Sequence, residues 1–223
     1  MAADALAATA EDVVLSVDPH GMPLEVGLAA SARSRRLLAG IMALAGGGLE
    51  DICGVLIRAL YESWLVGLYA LLGGPDALER LLAQQDRHLR PIRAVLGDES
   101  GDEGRQLPVE QLARRVSTLM DQRGMPNPQF AIQGYETLYR WESYRNIHGG
   151  LGSIEGHIVR YEDRVEVKRE RPDDDDNVRH RVFTAIAIYL SGAQIVSIEA
   201  GWEHENLDLI ADRIHAFDPN SSG

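Results

Sequence analysis

The sequence predicts a mainly α protein, a single-domain helical bundle with one inserted β-hairpin near residues 158–169. Apolar residues recur at helical spacing along most of the chain, and Gly and Pro clusters separate these stretches. Strict alternation of apolar and polar residues occurs in one stretch. Because no internal repeat or linker separates two cores, we expect one domain over residues 27–217, after an irregular segment over 1–26 and before a disordered tail over 218–223.

Three helices are predicted in the first half of the chain. The first covers residues 27–45 and ends at the three glycines 46–48. The second covers residues 49–72 and is apolar on nearly every face, which is typical of a central helix in a bundle. It ends at the Gly-Gly-Pro sequence 73–75, and the third helix follows, in which Pro91 is expected to cause a kink or a split.

Two helices are predicted after the acidic stretch near residue 100. Pro108 begins the fourth helix and Gly124 ends it. Asn127 and Pro128 have the pattern of an N-cap followed by Pro at the first helical position, so a fifth helix is expected from there to His148.

Two more helices are predicted near the end of the chain. The stretch 178–200 is long and apolar, and a short amphipathic helix closes the fold. The apolar residues of that last helix are Leu207, Ile210, Ile214 and Phe217.

The hairpin can form in two registers. A three-residue turn at 162–164 pairs Val159 with Val167, whereas a two-residue turn places Val159 opposite Glu166. The apolar match favours the three-residue turn.

Two apolar stretches raise the question of membrane insertion. Residues 52–72 include Arg58 and Glu62, and a charge at the centre of a bilayer costs roughly 2.5 to 3.5 kcal/mol. Residues 182–198 are uncharged but fall short of the ~20 residues that a spanning helix needs. We therefore expect both to be core helices. Since the first residues lack a basic and long apolar leader, a cytoplasmic protein with no membrane partner is expected.

The charge balance limits one class of function. The chain carries 34 acids and 22 bases, a net charge of −12, which argues against a surface covered by a nucleic-acid footprint. A local basic cleft stays compatible with the sequence, because eight of the acids lie in two tracts, residues 98–103 and 173–176.

Cysteine and lysine usage indicate the cellular setting. Cys53 is the only cysteine, which excludes an intramolecular disulfide and a cysteine zinc site and suggests a reducing interior. Lys168 is the only lysine among the 22 bases. This bias is typical of a GC-rich, bacterial genome, so Arg abundance by itself does not indicate RNA binding.

The densest cluster of polar and aromatic residues is the segment YETLYRWESYRNIH. At about 100° per residue, Leu138, Trp141, Arg145 and His148 fall within an arc of about 80°, with Tyr144 beside them. Since Leu138 and Trp141 are expected to point inward, Arg145 and His148 are expected at the edge of the core or in a cleft.

This pair of residues can carry chemistry. A histidine such as His148 titrates near neutrality and can move a proton, and a permanent cation such as Arg145 can stabilise phosphoryl charge. In the structural alternative, His148 ends the helix and Arg145 pairs with an acid. Spacing alone favours the structural alternative.

Arg58 and Glu62 are a second candidate pair. They lie four residues apart on an otherwise apolar helix, so they must pair with each other or with polar groups of a neighbouring helix. They either fix the register of the helices or line a pocket together with Arg145 and His148. Buried pairs do not decide between these alternatives.

No metal or cofactor is expected. A di-iron bundle needs a Glu-x-x-His motif on two helices, and the nearest match is the single pair of Asp212 and His215. The glycines of 149–156 fit no phosphate-binding or nucleophile motif, and the acids of 173–176 lack the spacing of a calcium loop.

Two segments carry a resemblance to a known group of proteins. RALYESWLVGLYALL, residues 58–72, and YRWESYRNIHGG, residues 139–150, resemble an uncharacterised family of bacterial helical domains. Those domains have an Arg-x-x-x-Glu helix and a later Tyr-rich helix that ends in His-Gly. They are similar in architecture to the HEPN superfamily of helical bundles, which is common in toxin, antitoxin and antiviral systems.

The HEPN resemblance implies metal-independent RNA cleavage in a cleft between two protomers. Arg145 with Asn146 would be the Arg-polar pair and His148 the histidine. Two residues separate Arg145 from His148, which is fewer than is usual in that superfamily.

Three hypotheses of function follow, and they leave open whether the protein is an enzyme. The first is a cytoplasmic, homodimeric HEPN-like protein acting as an endoribonuclease or a toxin or defence effector, with RNA or a cognate protein as partner. The second is a non-enzymatic module that binds a protein or a small anionic ligand. The third is a helical enzyme that acts on a small molecule. The predicted cleft contains Arg58, Glu62, Tyr144, Arg145, Asn146 and His148.

Overall fold

The computed structural model describes residues 21–47, 49–95, 107–144, 158–167, 175–202, 207–210 and 212. Within these ranges the chain is mainly helical, and its one sheet is a two-stranded antiparallel hairpin. The predicted mainly α fold with a small hairpin is therefore confirmed. The division into irregular segment, domain and tail stays a prediction.

Six α-helices, a π-helical turn and two short strands make up the described fold. The helices are α1 (Gly21–Gly46), α2 (Glu50–Val95), α3 (Val109–Gln122), α4 (Phe130–Gly134), α5 (Arg140–Glu142) and α6 (Asp175–Ala200). The π-helical turn Tyr135–Tyr139 connects α4 to α5. The strands are β1 (Ile158–Arg160) and β2 (Val165–Val167). Residues 207–210 are also helical.

The core lies between α1, the first half of α2, and α6. Helices α1 and α2 run antiparallel, because a Cβ atom on Gly27 would lie 3.4 Å from Leu71 at one end and one on Gly40 would lie 3.1 Å from Leu56 at the other. Helix α6 packs across them, and its Ser191 hydroxyl accepts a hydrogen bond from the indole of Trp64 at 3.0 Å. The sequence 49–72 therefore forms a central helix, as its apolar composition predicts.

Helix α2 is broken where the sequence predicts a helix end. Gly74 has φ 65° and ψ −154°, a conformation that is essentially restricted to glycine. Arg123, just after α3, donates to the carbonyl of Leu72 at 2.9 Å and pairs with Glu199 of α6 at 2.5 Å. One guanidinium thus satisfies a carbonyl near the break and connects three helices.

Two predicted helix boundaries are wrong. Helix α1 begins at Gly21, not at residue 27, because Pro23 is tolerated in the first turn, where its missing N–H is not needed. Of the two alternatives predicted at Pro91, the split is wrong: α2 continues to Val95, and Gly74 is the residue within it that has non-helical dihedral angles. The kink stays a prediction.

Asn127 does not cap the fifth predicted helix. It lies in a turn with φ 50°, the left-handed region that Asn tolerates, and its carbonyl accepts a hydrogen bond from the N–H of Phe130 at 3.0 Å. Helix α4 therefore starts at Phe130, and Gln129 occupies the N-cap position.

The predicted hairpin register is also wrong. Val159 lies opposite Glu166, and the N–H of Tyr161 donates to the carbonyl of Arg164 at 2.8 Å, so the turn has two residues. The apolar match does not decide because neither face is buried, and Val167 is 77% exposed. The Arg164 guanidinium instead lies 4.2 Å from the centre of the Tyr161 ring and pairs with Glu166 at 2.9 Å.

The end of the described chain agrees with the predicted helices in part. Helix α6 starts at Asp175, before the predicted residue 178. Leu207 and Ile210 are buried, as predicted for the closing helix. Ile214, Phe217 and the acidic tract 98–103 lie outside the described residues.

Two helical stretches are long and apolar enough to cross a membrane, 52–85 and 179–200. The share of each apolar window buried inside the protein is 61% and 50%, respectively. Core helices of soluble proteins meet the same criterion, so these helices are weak evidence and do not decide the location of the protein.

Candidate functional site

The predicted site residues divide into two groups. Arg58, Glu62 and Tyr144 belong to the described residues, whereas Arg145, Asn146 and His148 lie outside them. The geometry of the site is therefore that of α2 and of the segment 130–144, which leads in sequence to Arg145.

Arg58 and Glu62 pair with each other, which was one of the predicted alternatives. Arg58 Nε donates to Glu62 Oε1 at 3.0 Å, across one turn of α2. The two side chains are 21% and 41% exposed, so the pair lies at the edge of the core. Arg58 Nη1 is buried and has no hydrogen-bond partner among the described residues.

Tyr139 joins this pair, and sequence reasoning did not identify it. Its hydroxyl accepts a hydrogen bond from Arg58 Nη2 at 2.7 Å and donates one to Glu62 Oε1 at 2.9 Å. The guanidinium carbon of Arg58 lies 4.5 Å from the centre of the Tyr139 ring, a cation–π geometry. We call these three residues the Arg-Glu-Tyr network.

The network keeps the Tyr139 hydroxyl protonated. The pKa of Tyr139 is raised to about 12, and burial is the largest cause. The hydrogen bond to the Glu62 carboxylate also raises the pKa, by more than the Arg58 guanidinium lowers it. Tyr139 is therefore a hydrogen-bond donor at neutral pH and not a general base.

Aromatic rings hold the same segment against α2. Tyr139 stacks on Tyr135, with ring centres 5.5 Å apart, and lies 6.0 Å from Tyr61 of α2. The Tyr61 hydroxyl donates to the carbonyl of Ala131, and burial is the main cause that raises its pKa. A Cβ atom on Gly134 would lie 2.8 Å from the Tyr61 ring, so the backbone of the segment approaches α2 closely.

The π-helical turn is the unusual backbone feature of the site. Such turns are rare, have a hydrogen-bond pattern one residue wider than the α-helix, and occur frequently at functional sites. Here the turn spans Tyr135–Tyr139, and its last residue is the tyrosine of the Arg-Glu-Tyr network. The irregular turn is therefore held by a polar network.

A second charged pair connects the segment to α6. Arg181 Nε donates to Glu142 Oε1 at 3.1 Å, and both side chains are 3% exposed. This pair was not predicted, because a carboxylate is almost never buried without a partner, and the partner lies 39 residues away. The i, i+4 rule that indicates local pairs gives no signal for it.

The orientation of the helix differs from the prediction as a result. Leu138 is buried as predicted, but the prediction that Trp141 points inward is wrong, since Trp141 is 52% exposed. Glu142 takes the buried position because Arg181 neutralises it. Tyr144 is 62% exposed, so it does not join the Arg-Glu-Tyr network.

Within the described ranges, no group of three or more His, Cys, Asp or Glu side chains has the arrangement of a metal site. The chemistry that the described residues offer is that of a fixed carboxylate, a protonated phenol and a guanidinium.

Comparison with known proteins finds no match: no family model, no curated protein and no solved structure is significantly similar to this chain. The resemblance to HEPN bundles consequently depends on the two sequence segments alone.

Proposed function

We propose that the protein is a HEPN-like, metal-independent endoribonuclease in which Arg145 and His148 act on the scissile phosphodiester. His148 exchanges a proton with the ribose 2′-hydroxyl or with the leaving 5′-oxygen. Arg145 stabilises the negative charge that accumulates on phosphorus oxygens in the transition state. The 2′-oxygen forms the new bond to phosphorus while the bond to the 5′-oxygen breaks, so no metal or redox partner is required.

One observation supports this proposal. The segment 130–144, which precedes Arg145 in the sequence, contains a π-helical turn and is tied to two other helices, to α2 by the Arg-Glu-Tyr network and to α6 by the buried pair of Glu142 and Arg181. Catalytic groups need a rigid support, and irregular turns persist where function requires them. A segment held in this way is a suitable support for the residues that follow it.

The proposed setting follows from the sequence. We place the enzyme in the bacterial cytoplasm, as a homodimer whose cleft accepts RNA, with a toxin or defence role. Confinement of many of the acids to two short tracts keeps this compatible with the net charge of −12.

The test is RNA cleavage by the purified full-length chain in EDTA, on structured and unstructured RNA. The parent protein is expected to cut RNA, and Arg145→Ala and His148→Ala are expected to lose at least about a hundredfold in rate, the lower range for a general acid–base group. Matched controls are Arg140→Ala and His180→Ala, which replace exposed residues of the same types and should cut like the parent. No cleavage by the parent, or equal cleavage by all variants, contradicts the proposal.

A second candidate function is a non-enzymatic interaction module. It is favoured by the hydrogen bonds among Arg58, Glu62 and Tyr139, since each of the three residues bonds to the other two. In that case the parent does not cut RNA, while Tyr139→Phe and Glu62→Ala lower the free energy of unfolding. The same set of proteins, examined by cleavage and by urea unfolding, separates the two candidates.

A further inference from the structure

The Arg-Glu-Tyr network leaves Glu62 Oε2 open as well as the buried Arg58 Nη1. Glu62 Oε1 accepts from Arg58 Nε at 3.0 Å and from the Tyr139 hydroxyl at 2.9 Å. Glu62 Oε2 accepts no hydrogen bond from any residue that the structure describes, and the side chain is 41% exposed. The network thus fixes the carboxylate through one oxygen and presents the other to solvent.

Arg58 does not offer an atom for ligand binding in the Arg-Glu-Tyr network. Its Nε and Nη2 bond within the network, and its Nη1 is buried. Its charge has another effect: it offsets that of Glu62, so the carboxylate repels a nearby polyanion less than an isolated one would. Because the charges of Arg58 and Glu62 add up to about zero, the oriented acceptor oxygen can approach a phosphodiester chain.

The chemistry of this oxygen selects the ligand. An ionised carboxylate only accepts hydrogen bonds, so it binds donors and repels phosphate oxygens. Along the sugar–phosphate backbone, the 2′-hydroxyl is a donor that RNA has and DNA lacks, and it is the group by which proteins distinguish the two.

We propose, on the basis of the proposed ribonuclease function, that Glu62 Oε2 accepts a hydrogen bond from a ribose 2′-hydroxyl and makes the site selective for RNA. Tyr139 and Arg58 are positioning residues, because they hold Oε1 and thereby orient Oε2.

The test compares the affinity for single-stranded oligonucleotides of one sequence, made as RNA, as 2′-O-methyl RNA and as 2′-fluoro RNA. Binding is measured in EDTA with the full chain in the His148→Ala background, in which RNA is expected to be bound but not cut. Since 2′-methoxy and 2′-fluoro groups cannot donate a hydrogen bond, both analogues are expected to bind about tenfold more weakly than RNA.

The informative variant is Glu62→Gln. Its amide oxygen can replace Oε1 toward Arg58 and Tyr139, which leaves an NH₂ donor in place of Oε2. That donor bonds to a 2′-hydroxyl and to a 2′-methoxy oxygen alike, so the preference for RNA over 2′-O-methyl RNA should fall to about onefold. Glu110→Gln is the matched control, because Glu110 forms the same i, i+4 pair with Arg114 at 2.9 Å on α3, and it should keep the tenfold preference.

The outcomes separate the two proposals. Equal binding of RNA and 2′-fluoro RNA overturns the role of Glu62, whether or not the Glu62→Gln variant folds. A preference for RNA over 2′-O-methyl RNA that persists in Glu62→Gln also overturns it, since the methyl group would then act by its bulk. If the parent cuts RNA without this discrimination, the role of Glu62 alone fails; if it neither binds nor cuts RNA, the ribonuclease function fails with it.

Discussion

Two charged pairs hold the segment before Arg145, and they differ in burial. Glu142 and Arg181 are each 3% exposed, whereas Arg58 and Glu62 are 21% and 41% exposed. Removal of one partner of a buried pair leaves an uncompensated charge in a low-dielectric environment, but a solvated pair loses little. The pair of Glu142 and Arg181, which the sequence did not predict, is therefore the more important one for stability.

Glu142→Ala is expected to lower the free energy of unfolding by about 3 to 5 kcal/mol, because it removes a buried carboxylate that is paired with the buried Arg181 cation. Glu110→Ala, which breaks an exposed pair, should lose less than about 1 kcal/mol. Urea unfolding followed by circular dichroism measures both.

The double variant Glu142→Met/Arg181→Met supplies the control, since apolar residues of similar volume remove both charges at once. It should recover most of the loss. If the double variant is as unstable as the sum of the two single variants, the charges do not act as a pair.

The raised pKa of Tyr139 predicts how the stability of the fold depends on pH in the alkaline range. Its pKa is about 12 in the folded protein and ordinarily 10.0, so the fold favours the protonated phenol. The unfolded chain loses this proton from about pH 10 upward, and the folded chain only near pH 12. The stabilisation is therefore complete below pH 10 and is lost between the two values.

Urea midpoints across this range should fall less steeply for Tyr139→Phe than for the parent. Some decline should remain, because burial also raises the pKa of Tyr61. Tyr144→Phe, a change at an exposed tyrosine outside the network, is the control and should follow the parent. Parallel curves for Tyr139→Phe and the parent would contradict the role of the network.

At the scale of elements, the segment 130–144 depends on a close approach to α2. Helix α4, the π-helical turn and α5 follow one another without a loop, and their backbone reaches the Tyr61 ring at Gly134. A glycine inside a helix costs up to about 1 kcal/mol relative to alanine, so its presence here has a packing reason. That reason is the space that the ring occupies.

Gly134→Ala is expected to destabilise the protein by about 1 to 3 kcal/mol, because the new Cβ would lie 2.8 Å from Tyr61 Cε2 and the ring would have to move. This exceeds the gain in helix propensity of up to about 1 kcal/mol. Thermal and urea unfolding measure the net effect.

Gly46→Ala is the matched control, since a Cβ atom there meets nothing within 4 Å. It should leave stability unchanged or raise it slightly. An equal response of the two variants would mean that Tyr61 has room to move away.

At the scale of the whole molecule, the two long apolar helices raise the question of whether the protein partitions into membranes or into aqueous solution. The buried share of the apolar window is 61% in the first helix and 50% in the second. The first helix also includes the paired charges of Arg58 and Glu62. The buried shares do not decide between core helices and membrane spans. The prediction of core helices depends on the two charges, which are costly at the centre of a bilayer.

The full chain, expressed without detergent, is therefore expected in the supernatant after ultracentrifugation of the lysate. An alkaline carbonate wash distinguishes true insertion from loose association. Sedimentation with membranes that resists this wash and is reversed by detergent would contradict the assignment to the cytoplasm.

Local patterns predicted much of the fold. The central apolar helix, the break at Gly74, the last long helix and the existence of a hairpin all depend on residues within a few positions of one another. The pairing of Arg58 with Glu62 belongs to the same class, because side chains four residues apart on a helix are neighbours. For such features the chain itself supplies the geometry.

The candidate site was predictable only in part. Tyr139 lies 77 residues from Glu62, and no sequence pattern indicates that the two meet. The apolar match did not predict the hairpin register, because no buried face constrained it.

The sequence by itself determined that the chain forms helices, where the central helix breaks, and that Arg58 and Glu62 lie one helical turn apart. Only the tertiary structure decided that Tyr139 completes this pair, that Glu142 is buried against Arg181, and that Trp141 is exposed. The physical reason is that helix formation follows from short-range periodicity. Burial of a charge depends instead on a partner that the fold brings from a distant part of the chain.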